Sequence, residues 1–391
     1  MRNHFYLRLR RAIAVFAAFL AGTAMAPAGS RGYLTTPEEL ARIRDKAAQG
    51  AEPYRSAVRQ ALQYASDAAL PQPAGGTVAC KASRTPAYVT AGAPIAYSYS
   101  LTFHLTGDPS YARKARSAIL DLQKITGLEA GDCPLTMGRH VPTWIRAADL
   151  IEDVWPKEEK RRFQNWLATV IFPSLMTKCR RGNNWGAMIT NAGQHIADYC
   201  LDRRDLLLDG QPPAAAYRLM RQLALDRMNG LIWDACGEGV SMIRPDGGIP
   251  EELRRSTRCE DTAVARGSAA QHYSEGYLSG LLAQAELCLR RGDPALFDNV
   301  SKAAARTPGG KPLPAGRGSI RNAIDFVLDR VPWERKQSLM IAARYYRDPR
   351  MLAAAREDRP HGVGPDVNPF ATLTHDYADG ETPAPPPVTT P

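Results

Sequence analysis

Two short stretches of the chain concentrate side chains able to bind a carboxylate and move a proton. The first is Arg181-Gly182-Asn183-Asn184-Trp185-Gly186, leading into the helical pattern Met188, Ala192, His195, Ile196 and Tyr199. Two neutral amides beside an aromatic ring can hydrogen-bond a carboxylate or sugar hydroxyls. The plainer role is that one asparagine caps the helix and Trp185 is core. The second stretch begins with Asp246-Gly247-Gly248-Ile249-Pro250-Glu251-Glu252-Leu253-Arg254-Arg255. It ends with Arg266-Gly267-Ser268-Ala269-Ala270-Gln271-His272-Tyr273, at the entry to a helix from Tyr273 to Leu289. Arginine supplies charge-assisted hydrogen bonds to a carboxylate. Tyrosine carries a phenolic proton, although Tyr273, Tyr277, Leu281 and Leu282 also fit an ordinary buried stripe.

The elements that must position these residues read as helices. Thr36-Pro37-Glu38-Glu39 has a capping threonine, proline at the first helical position and an acid at the third, so a helix starts there. Thr106-Gly107-Asp108-Pro109 separates two apolar helical patterns, predicting a helical hairpin. Comparable turns recur at Leu201 to Leu206, Arg291 to Pro294 and Arg347 to Pro349. Stacked helix pairs are therefore expected, and the absence of sustained alternating strands argues against a large β-domain. From Pro360 onward glycine, proline and threonine crowd out apolar residues, which predicts a disordered tail over 361–391.

At the other end, Arg2, Arg8, Arg10 and Arg11 precede an apolar run from Ala12 to Leu20 and the small residues Ala24-Met25-Ala26. That pattern predicts a cleaved export signal over 1–26, since the run is shorter than the ~20 residues a membrane span requires. A periplasmic or secreted protein is expected, with one domain over 27–360 and no membrane attachment after cleavage. The formal charge of +10 falls to +6 without the leader's four arginines, from 10 − 4. This excess favours polyanionic partners. No zinc-knuckle, helix-turn-helix or aromatic-basic signature points to nucleic acid. The seven cysteines form no CxxC pair, so structural use is expected, with disulfides whose connectivity the sequence leaves open.

The order of these motifs resembles the alginate lyase superfamily of polysaccharide lyases, whose members fold as α/α toroids. Members carry Asn-Asn-His before a helix, then Asp-Gly-x-x-Pro-x-Glu-Leu, then an arginine followed two turns on by a tyrosine. This chain has Asn183-Asn184, Asp246 to Leu253, and Arg266 followed by Tyr273. The resemblance covers roughly Tyr88 to Arg291. It implies an all-α fold, an incomplete α/α toroid, and cleavage of a uronate-containing polysaccharide by β-elimination without a cofactor or metal.

On that reading Asn184 and Arg266 neutralise the uronate carboxylate and stabilise the developing enolate-like charge. Tyr273 removes the C5 proton, donates one to the leaving O4, or does both. A tyrosine of ordinary acidity is protonated at neutral pH, so a base role requires a nearby cation. Trp185 stands where the family has its histidine, and an insertion separates Leu253 from Arg266, which leaves Arg255 as the competing arginine. His140, in a stretch read as the loop Met137 to Pro142, is the histidine expected to line the site. His195 lies about 16 Å along the helix from Asn184 and is too remote. Asn183, Trp185, Arg255, His272 and Tyr277 complete the expected binding surface. Two other functions fit the same residues: a glycoside hydrolase using paired carboxylates among Asp246, Glu251 and Glu252, and a non-catalytic glycan-binding protein using Trp185 as a stacking platform.

Overall fold

The computed structural model describes residues 30–81, 84–232, 243–255, 260–301, 317–334, 336–357 and 367–381. The expected leader over 1–26, Cys236, Cys259, and residues 361–366 and 382–391 of the expected tail lie outside them. The described chain is all-α. Its longer helices are α1 (Pro37–Ala48), α2 (Tyr54–Asp67), α3 (Gly92–Thr106), α4 (Pro109–Leu122), α5 (Cys133–Leu150), α6 (Lys157–Trp166) and α7 (Asn184–Tyr199). There follow α8 (Pro213–Met228), α9 (Ala269–Arg290), α10 (Ile320–Leu328), α11 (Lys336–Tyr346) and α12 (Pro349–Arg356). Two strands, β1 (Gly76–Val78) and β2 (Ile125–Leu128), form a small parallel pair.

Local chemistry explains where the helices begin and end. Thr36 and Glu39 close a reciprocal capping box at the start of α1. Between α3 and α4, Gly107 takes a left-handed conformation (φ 76°), Asp108 caps the backbone of Ser110, and Pro109 opens the next helix. The turn between α11 and α12 repeats this, with Arg347 at φ 52° and Asp348 accepting from Arg350 and Met351.

Packing follows a circuit. α2 contacts α3, α3 contacts α5, α5 contacts α7, α7 contacts α9 and α9 contacts α11. A short helical turn, Ala371–His375, then returns from α11 to α1 and α2. No helix among the described residues is long and apolar enough to cross a membrane.

Two expectations are corrected. The segment 367–381, read as disordered, is built into the core: Val367, Phe370 and Leu373 are buried, and buried Arg146 donates to the Val367 carbonyl and the Asn368 side chain. Its composition misled because the apolar residues are few, but Val367, Asn368, Thr372 and His375 find partners on α5, α9 and α11, Asp376 and Asp379 on α12, and Glu381 on α1 and α2. Residues 137–142 are not a loop but part of α5, with Pro142 inside the helix. Pro142 cannot donate to the carbonyl of Gly138 one turn back. At that same turn α5 lies against α7, where a Cβ on Gly138 would stand 3.1 Å from the Ile189 nitrogen. Of the cysteines, Cys80 and Cys133 form a disulfide that ties the segment after β1 to the start of α5, while Cys179, Cys200 and Cys288 are buried thiols.

Candidate active site

The first motif is a clamped loop and helix start. Buried Arg227 on α8 donates to the carbonyls of Arg181 and Cys179, each at 3.0 Å. Asn183 caps α7 by accepting the Trp185 N–H at 3.1 Å. Gly186 is required for this approach, since a Cβ there would lie 1.9 Å from the Arg181 carbonyl oxygen.

The second motif brings its carboxylates and arginines against that helix start. Asp246 accepts from the Gly248 N–H at 3.0 Å, and Gly247 (φ 85°) is pressed onto Asn322 of α10 so closely that no side chain fits. The turn Pro250–Leu253 follows, and Glu252 is fully buried. Glu252 Oε1 accepts the backbone N–H of Asn184, and Oε2 pairs with Arg255 Nη1 at 3.2 Å. Arg255 Nη1 also donates to the side chain of Asn184 at 3.0 Å. A guanidinium has no acceptor, so the Asn184 atom facing it is the amide oxygen, and its Nδ2 is the remaining donor. The Arg255 guanidinium carbon stands 4.4 Å from the centre of the Tyr273 ring. Burial pushes the Glu252 carboxyl up to about 8, against the lowering effects of Arg255 and the Asn184 N–H.

Asn184, Arg255 and Tyr273 are therefore brought together, and Arg266 is not. Arg266 is exposed and has no hydrogen bond or ion pair among the described residues. The reason lies in the insertion. Thr262 returns to donate from N and Oγ1 to the Leu253 carbonyl, at 3.0 and 2.6 Å, and Asp261 pairs with Arg254 at 2.7 Å. Leu253 and Thr262 are thus held side by side, and it is Arg255 that reaches Tyr273, although Arg266 has the expected sequence spacing.

The remaining expected residues stand outside the Asn184–Arg255–Tyr273 contact. Tyr277 is fully buried one turn below Tyr273, where it cannot meet a polysaccharide. His272 Nδ1 lies 3.4 Å from the Glu334 carboxylate. Trp185 is partly buried with the Arg181 guanidinium 4.3 Å from its ring centre, and Asn183 Nδ2 lies 3.5 Å from Glu251. His140 is partly buried on α5, and burial with the neighbouring charge of Arg139 brings its imidazole down to about 4. No hydrogen bond among the described residues joins His140 to Asn184, Arg255 or Tyr273. His195 is fully buried.

Three features escaped the sequence. Arg139, preceding His140, donates to the sulfur of Met188 at 3.3 Å. The methyl end of Met188 abuts Gly276, beside Asn184 Nδ2. Gly276 and Gly280, one turn apart on α9, are the legible sign of a close helix crossing, and Glu252 gave no sign that separated it from Glu251. Among the described residues no cluster of three or more His, Cys, Asp or Glu is arranged to hold a metal ion. No model of a known protein family matches the chain, and no curated protein matches it.

Proposed function

We propose that the protein is an exported polysaccharide lyase that cleaves a uronate-containing polymer, such as an alginate or a glucuronan, by β-elimination on an α/α toroid. The observation that carries this reading is the meeting of Arg255, the Asn184 amide and the Tyr273 ring at one helix start. The closed circuit of helix packing supports the toroid. The leader pattern and the Cys80–Cys133 disulfide support export.

In this reading Arg255 and Asn184 Nδ2 hold the carboxylate at C6 and stabilise charge as the C5–H bond breaks. The Tyr273 oxygen takes the C5 proton as its own phenolic proton passes to the leaving O4, and the C4–C5 double bond forms as the C4–O4 bond breaks. The hydrolase alternative has less to draw on: Glu252 is sealed and doubly bonded, and Asp246 is engaged with Arg244 and the Gly248 N–H.

The test is incubation of the purified protein with a panel of acidic polysaccharides, following ultraviolet absorbance of unsaturated ends and, in parallel, new reducing ends. Both signals should rise together on a polyuronate. Reducing ends without absorbance would establish hydrolysis instead, and retention on an immobilised polyuronate with neither signal would establish a binding protein.

A further inference from the structure

We propose that Glu252 is the positioning residue of this site: one carboxyl group ties Arg255 to the first turn of α7 and so fixes the guanidinium over Tyr273. The kinetic part of this inference rests on the lyase reading given above.

Glu252 is fully buried, and an acid so placed is costly unless both oxygens are engaged. Its oxygens serve two different elements. Oε1 takes a backbone donor at the N-terminus of α7, where unpaired N–H groups favour an acceptor, and Oε2 takes Arg255 at 3.2 Å. Arg255 closes the triangle by donating to the Asn184 amide oxygen at 3.0 Å. Two bonds from Nη1 thus orient the guanidinium, spending a single nitrogen of Arg255, and the third fixes Glu252 to α7. Among the described residues Nη2 and Nε keep their donors for a substrate carboxylate. Without Glu252, Arg255 would hang from a turn whose next residues lead into the insertion, anchored by one amide oxygen.

Glutamine separates the two ties. In Glu252→Gln the amide oxygen still accepts from Asn184, but an NH2 group faces Arg255, donor against donor. The helix start is kept and the arginine is released. The experiment is a double-mutant cycle of Glu252→Gln and Arg255→Gln, read in affinity for a saturated oligouronate by calorimetry and in turnover of the polymer.

Each single variant should weaken binding about tenfold or more. The double variant should be no worse than Arg255→Gln, because Glu252 acts through Arg255. Glu252→Gln within about twofold of wild type, or losses that multiply in the double variant, would overturn the proposal. A merely structural glutamate gives multiplying losses and a lowered denaturation midpoint in both backgrounds. Binding without turnover in the wild type overturns the lyase reading alone, and the affinity cycle still decides the role of Glu252. Absence of any binding overturns both.

Discussion

Arg255 reaches Tyr273 from a turn whose far side is stitched back on itself by Thr262 and Asp261. The guanidinium is therefore held over the Tyr273 ring, where the proposed elimination would develop charge, while Arg266 stands in solvent. Removing one preorganised donor from developing negative charge typically costs about 10²–10³ in kcat. Arg255→Gln should show a loss of that size, and Arg266→Ala a change of no more than a few-fold; comparable losses in the two would return Arg266 to the site. Tyr273→Phe should abolish unsaturated product while leaving the helical circular dichroism spectrum intact, and near-normal turnover would remove the phenol from the mechanism. Asn184 and Tyr273 were legible from the loops that precede their helices, although α9 starts at Ala269, four residues before Tyr273, where the sequence had placed its entry. The choice between the arginines was not, because counting residues cannot tell an insertion that doubles back from one that extends. Arg139 was illegible for another reason: its contact with the site runs through the side chain of Met188, on a helix far away in the chain.

Around Met188, α7 is gripped from two sides. Gly138 of α5 meets the backbone at Met188 and Ile189, and Gly280 of α9 meets it at Ala187 and Met188. A Cβ on Gly280 would lie 2.8 Å from the Met188 nitrogen, a backbone atom that moves only if the helices part. A Cβ on Gly276 would instead meet the ends of side chains, Met188 Cε at 3.3 Å and Asn184 Nδ2 at 3.4 Å. The two positions should respond differently to the same added methyl. Gly280→Ala should cost about 1–3 kcal/mol of stability, the usual range for overpacking, and should lower turnover by shifting Tyr273 relative to Asn184. Gly276→Ala should be milder in denaturation yet still impair turnover, because its methyl crowds the amide proposed to bind substrate. Equal denaturation midpoints for the two variants would show that the α7–α9 crossing has more slack than these distances allow. The helices themselves were legible from caps, turns and apolar spacing. Their pairing across 138, 188 and 280 was not, since tight crossings depend on contacts between residues distant in sequence.

At the scale of the molecule, Arg290 of α9 and Arg344 of α11 both pair with Glu39 of α1, and 367–381 folds back beside them to seal a polar interior. Asn368 bridges Arg146 to Ser338 and to the Ser279 carbonyl, and His375 pairs with Glu286 at 3.1 Å. A composition rich in glycine, proline and threonine signals disorder when the segment must make its own core. Here the partners were waiting on other helices. The sealed interior has a consequence for pH. His195 is fully buried, its Nδ1 turned to the Asn191 carbonyl at 3.0 Å, and burial together with nearby Arg146 brings its pKa down to about 3. A carbonyl only accepts, so Nδ1 carries the proton and the imidazole is held neutral. Because the folded pKa lies below the unfolded value near 6.5, the unfolded chain binds more protons between the two. Stability must then fall as pH drops through that window. At about 1.36 kcal/mol per unit, His195 alone contributes roughly 2–3 kcal/mol to the loss between pH 6.5 and 4.5. His140, brought down to about 4, adds in the same direction. Substitution isolates the part due to His195. Denaturant titrations at pH 7 and pH 4.5 should show a smaller acid loss in His195→Gln than in wild type, even if the variant is less stable at both. An unchanged difference between the two pH values would mean that the interior admits a charged imidazole, and so holds more water or anionic character than its residues indicate.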